Sequence, residues 1–155
     1  MTEPKKIRRW PIILLIIGSA LIIPGVLLSQ LAVDVSLRNW NENAAGYQLA
    51  QQEQARTGKP IALFFHTDWC ESCKKLKKEV LVSKQFKLFL SDVIPVKINP
   101  EMGSLENAMA EQFGVMGYPT FFLVSAHPRR IMRIPRTNNV NPDEFVQECQ
   151  AALQL

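Results

Sequence analysis

The sequence predicts an α/β protein, a mixed four-stranded sheet flanked by helices and preceded by one transmembrane helix. Three observations predict it. Between residues 34 and 155, short apolar runs alternate with segments of helical periodicity. Two late runs stand close together around Ala126-His127-Pro128, which reads as a hairpin that adds antiparallel strands to a parallel pair. Ahead of them, Trp10 to Leu28 is a run of 19 residues with Ser19 as its only clearly polar member.

Composition agrees with one domain plus an appendage. The chain has 155 residues, 47% hydrophobic and 21% charged, which suffices for a buried core and excludes a disordered tail or a fibre. The net charge is +4, but Lys5, Lys6, Arg8 and Arg9 against Glu3 place most of it before residue 12. No basic face remains for nucleic acid.

As a helix, the apolar run spans about 28 Å, close to the roughly 30 Å hydrocarbon core of a bilayer. Pro24-Gly25 is tolerable there, because a membrane helix can re-satisfy the freed carbonyl. The competing reading is a cleavable signal peptide, with Lys5 to Arg9 as its basic region. The run outlasts the usual apolar region of roughly 7–15 residues, and Gln30 occupies a place where cleavage favours a small residue. The anchor reading divides the chain into a basic cytoplasmic N-terminus (1–9), a transmembrane anchor (10–31) and a domain (34–155). Four basic residues precede the run and only Arg38 follows soon after, so the domain is expected on the far, periplasmic side of the inner membrane, held by a single pass.

Within the domain, Leu37, Trp40, Ala44 and Tyr47 recur at helical spacing and Gly58-Lys59-Pro60 supplies a stop, predicting a helix over 36–56. Ile61 to His66 reads as a buried strand. A second helix starts at the cysteine pair with Cys73, Leu76 and Val80 on one face, followed by a helical turn with Phe86, Phe89 and Leu90. Val93 to Ile98 is the next strand. Leu105, Met109 and Phe113 mark a short helix ending at Gly114, and residues 121–124 and 131–134 form the hairpin. Asn141-Pro142-Asp143-Glu144 opens the last helix with a cap, a proline at the first helical position and a glutamate at the third.

Cys70 and Cys73 stand three apart where a strand gives way to a helix, so geometry permits a disulfide with Cys70 facing outward. Free N–H groups and the helix dipole at that end favour a thiolate, the form that attacks disulfides, on Cys70. Cys73, a turn deeper, needs closeness to Cys70 and little exposure to resolve a mixed disulfide. A lone C-x-x-C is also half a zinc site, which His66 or His127 could help complete, or a structural disulfide. Cys149 shares a helical face with Phe145, Ala152 and Leu153 and reads as core.

His66-Thr67-Asp68-Trp69-Cys70-Glu71-Ser72-Cys73-Lys74 after an apolar strand, with Gly117-Tyr118-Pro119-Thr120 before another, resembles the thioredoxin family. Within it, the Asp-Trp-Cys-x-x-Cys-Lys string is most similar to the C-terminal periplasmic thioredoxin-like domain of thiol:disulfide interchange proteins of the DsbD type. The resemblance covers about residues 36–153. It implies a thioredoxin-like fold, a redox-active Cys70–Cys73 disulfide with no other cofactor, and a cis Tyr118–Pro119 bond. By the same resemblance, Trp69, Tyr118, Pro119 and Thr120 meet an extended segment of a protein thiol or disulfide substrate, and a membrane electron carrier recharges the pair for reduction.

The departures are specific. Thioredoxins usually carry a buried acid six residues before the first cysteine, where this chain has Phe64, and the DsbD-type domain a glutamate four after the second, where it has Lys77. Glu71 places a negative charge beside Cys70. His66 is either a substitute proton acceptor whose cation would also stabilise a thiolate, or a scaffold residue bonded to backbone. Trp69 stacks on substrate, covers the helix start, or does both, and the mixture is favoured. Lys74 belongs to a lysine run that is either a solvated face or a charge near the thiols. The rival functions are an oxidase or isomerase, and a non-catalytic binding module or metal chaperone.

Overall fold

The sheet has five strands, not four, in the order β1-β3-β2-β4-β5. In a computed structural model that describes residues 37–135 and 141–154, these are β1 (Asn41–Glu42), β2 (Ile61–Phe65), β3 (Ile94–Ile98), β4 (Thr120–Val124) and β5 (Ile131–Ile134). The helices are α1 (Asn43–Thr57), α2 (Glu71–Leu76), α3 (Lys84–Phe89), α4 (Ser104–Gln112) and α5 (Pro142–Gln154). A wider π turn, Lys77–Leu81, continues α2, and 3-10 turns follow α3 and β3. β1, β3 and β2 run parallel, while β4 is antiparallel to β2 and β5 to β4. The 1–9 and 10–31 segments lie outside the described residues. Among the described residues, no helix is long and apolar enough to cross a membrane.

The central strands are legible as chemistry. β2 and β4 are buried at every position, as expected of strands covered on both faces. β3 alternates, with Ile94, Val96 and Ile98 buried and Pro95 and Lys97 half-buried. Pro95 is tolerated because Ile94 N–H points to Pro60 on the β2 side, so the missing N–H falls on the β1 side. There pairing starts only at Asn41↔Val96.

The expected helix over 36–56 is corrected to a helix that begins at Asn43. Tyr47 and Ala50 pack with Ile61, Leu63 and Phe65 on one face of the sheet. Trp40 lies on the other, stacked on Phe86 at 6.2 Å and edge-on to Phe64 at 6.4 Å. No single helical stripe can serve both faces, so the chain passes round the sheet edge through β1. Asn43 takes up the change of direction at φ 58°, a left-handed conformation that asparagine accepts better than most residues.

The second face is aromatic. Phe64, Phe86, Phe121 and Phe145 meet at 5.2–6.3 Å and hold α3 and α5 against the sheet. Cys149 joins this helix as a fully buried free thiol. α1 ends at Gly58, φ 72°, whose N–H returns to Gln54 O at 2.8 Å. Asn141 Oδ1 caps α5 by accepting from Glu144 N–H at 2.8 Å. In the β4–β5 turn the His127–Pro128 bond is cis, a feature the sequence reading did not include.

Candidate active site

The site forms where β2 ends. His66 N–H still donates to Ile98 O at 3.0 Å, prolonging the ladder by one bond, and Cys70 N–H then turns back to Thr67 O. Cys70 is the N-cap of α2, and its Sγ accepts from Cys73 N–H at 3.1 Å. Cys70 and Cys73 form a disulfide. Cys70 is less outward-facing than expected, at 4% exposed against 0% for Cys73. The asymmetry survives, but neighbouring chain covers most of the pair.

Trp69 is 65% exposed. Its Nε1 donates to Glu101 Oε1 at 2.7 Å, and its ring stands edge-on to Tyr118 at 6.3 Å. These contacts join the cysteine turn, the turn after β3 and the Tyr118–Pro119 loop. The Tyr118–Pro119 bond is cis and Pro119 is buried. Burial and the Glu101 charge raise the Tyr118 phenol above its ordinary pKa. Exposed Met102 follows Glu101, and Met116, 90% exposed, precedes this loop.

Thr120 turns its side chain inward. It is 1% exposed, its hydroxyl donates to Gly117 O at 2.7 Å and accepts from Arg133 Nη2 at 3.4 Å, so the side chain braces the loop. Glu71 and Lys74 pair with each other at 2.6 Å on the exposed side of α2, which offsets both charges beside the disulfide. His66 is buried and stacked on Phe64 at 5.2 Å, with Nδ1 3.2 Å from Lys77 Nζ. Burial and then the Lys77 charge push its pKa down to about 4. At neutral pH it is an uncharged imidazole, which corrects the expectation that its cation would stabilise a thiolate. Among the described residues, no cluster of three or more His, Cys, Asp or Glu could hold a metal ion.

Sequence reasoning missed Glu101, for which no motif exists; its signal is only its place just after a central strand on the cysteine side. Lys77 was visible as a departure from pattern and as one member of a lysine run that reads as either a solvated face or a charge near the thiols.

A capping cysteine pair joined by aromatic contact to a cis-proline loop, on a mixed sheet covered by helices, defines a protein of the thiol–disulfide oxidoreductase class. The chain belongs to the thioredoxin-like domain family, which matches residues 47–152 and works through a redox-active cysteine pair. It is 29% identical over 94 residues to the thiol:disulfide interchange protein DsbD of Yersinia enterocolitica, covering 60% of this chain but 16% of that one. It is 30% identical over 125 residues to the chloroplastic thioredoxin-like protein HCF164 of Arabidopsis thaliana, covering 73% and 43%. Among solved structures, the DsbH oxidoreductase superposes with a TM-score of 0.61 at 25% identity, over 75% of this chain and 84% of that one. The oxidised DsbD C-terminal domain of Neisseria meningitidis shares the fold, with a TM-score of 0.59 at 21% identity over 70% and 94%.

Proposed function

We propose that the chain is a membrane-anchored thiol:disulfide oxidoreductase that exchanges its Cys70–Cys73 disulfide with protein thiols and acts as a reductant on the periplasmic side. The observation that carries the reading is the Cys70 sulfur at the first turn of α2, accepting Cys73 N–H at 3.1 Å, on a residue that is 4% exposed against 0% for Cys73. In the reduced pair, the Cys70 thiolate attacks a substrate disulfide, and one substrate sulfur leaves with the electron pair and takes up a proton. Cys73 then loses its proton and attacks Cys70 Sγ. The second substrate sulfur leaves, and the two electrons have passed from the cysteine pair to the substrate. Trp69 and Tyr118 offer the substrate an apolar rim, and the backbone at Pro119 pairs with its extended segment.

The anchor at 10–31 keeps the domain at the membrane, where a DsbD-type electron carrier can re-reduce the pair. Resemblance to DsbD supports this supply. An oxidising compartment makes the supply necessary.

Cys70→Ser abolishes reductase activity and Cys73→Ser accumulates substrates as mixed disulfides, because only the resolving thiol is lost. An active Cys70→Ser chain, or a Cys73→Ser chain that traps nothing, reverses the roles or removes them. The reduction potential separates the directions: a value near about −270 mV fits a reductant and one near about −120 mV an oxidase.

A further inference from the structure

Full burial leaves Cys73 poorly placed to lose a proton, since a desolvated thiol resists ionisation. Yet the resolving step requires that loss. One helical turn further on, on the same face, stands a base rather than an acid. Lys77 follows Cys73 by one helical turn, and its N–H donates to Cys73 O. Helical side chains lean toward the N-terminus, so Lys77 is directed back along α2 toward the cysteine turn.

Lys77 does not reach away into solvent, as a surface lysine does. Its Nζ lies 3.2 Å from His66 Nδ1 and 5.8 Å from the centre of the Phe64 ring. An ammonium only donates, so His66 Nδ1 is the acceptor and the ring is neutral, with its proton on Nε2. The low His66 pKa agrees: burial and Lys77 depress it, Lys97 adds to this, and Asp68 and a backbone bond to Thr67 oppose it. Lys97 is itself paired with Glu42 at 2.8 Å. His66 is in turn fixed by its stack on Phe64.

We propose that Lys77, held in place by His66, is the electrostatic group that favours ionisation of Cys73 in the resolving step. His66 is a positioning residue in this scheme and transfers no proton. The Cys73 proton passes to solvent, the resulting thiolate attacks Cys70 Sγ, the Cys70–substrate bond breaks, and the substrate sulfur leaves with the electron pair and is protonated. The scheme rests on the redox reading of Cys70 and Cys73.

The test is a thiolate titration of Cys73 by ultraviolet absorbance in the full chain carrying Cys70→Ser. Cys149 does not interfere, since burial raises its pKa far above the range. Lys77→Met is expected to raise the Cys73 midpoint by about one unit, with Lys77→Arg restoring most of it. His66→Leu gives a smaller shift in the same direction, and His66→Gln, which keeps an acceptor, restores part of it. One unit leaves about a tenth of the thiolate, but each thiolate is a better nucleophile, so release of mixed disulfides near neutral pH slows about threefold in the Lys77→Met chain with both cysteines. An unmoved midpoint in folded Lys77→Met overturns the proposal, as does an equal shift in Lys77→Arg. A parent chain that exchanges no disulfides, with a midpoint that still follows Lys77, overturns the redox reading instead and leaves the electrostatic effect standing.

Discussion

His66 shows how burial decides what a side chain can do. In the folded chain its pKa is about 4, against an ordinary value of 6.5. Between those values the unfolded chain binds a proton that the folded chain refuses. The stability linked to neutral His66 is therefore complete above about pH 6.5 and is lost as pH falls toward about 4, by about 3 kcal/mol in all. Denaturant titrations across this interval should show the loss in the parent chain and its absence in His66→Gln. Glu101 shapes Trp69 in the same local way. Glu101→Ala frees the indole from its 2.7 Å bond and should change Trp69 fluorescence and raise KM for a protein disulfide several-fold, leaving the Cys70 alkylation rate nearly unchanged. Residue chemistry was legible where a motif named it, as at Cys70, Cys73 and Pro119. It was not legible for Glu101, because a contact with residue 69 across 32 positions leaves no periodicity.

Among the elements, β2, β4 and the last helix were readable because burial on two faces or a capping string writes itself into consecutive residues. β1 was not readable, because two polar residues at a sheet edge have no apolar pattern to show. Trp40 kept helical spacing with Tyr47 while packing on the other side of the sheet, so periodicity joined what the sheet divides. Gly46 marks the junction: a Cβ there would stand 2.7 Å from the carbonyl carbon of Asn41. Glycine inside a helix ordinarily gives up roughly 0.5–1 kcal/mol relative to alanine. Here Gly46→Ala should instead destabilise the domain by about 1–3 kcal/mol, through forced separation of α1 from β1. A denaturation midpoint that rises with this substitution would show that β1 yields freely.

At the scale of the molecule, residues from Leu37 onward form one compact unit, and the family match covers 47–152. The fold was legible as a layered α/β order before any strand pairing was known, because crossover helices force parallel neighbours and the hairpin forces antiparallel ones. The anchor expected at 10–31 makes its own prediction. The full chain should stay with membranes through carbonate extraction, a chain beginning at residue 34 should be released, and a reporter after Leu155 should behave as exported. A mature chain beginning near residue 33 would favour the signal-peptide reading.

The sealed thiol of Cys149 gives this protein a built-in tally of its own condition. A native oxidised chain offers an alkylating reagent no sulfur, a native reduced chain offers Cys70 while Cys73 and Cys149 stay enclosed, and only an unfolded reduced chain offers three. Locating the label after brief exposure therefore sorts redox state from folding state in the parent chain and in every His66 or Lys77 variant, since label on Cys70 alone marks a native reduced chain and label on Cys149 an unfolded one. The same enclosure keeps a third sulfur out of the exchange, so a partner captured by Cys73→Ser has no internal route of escape.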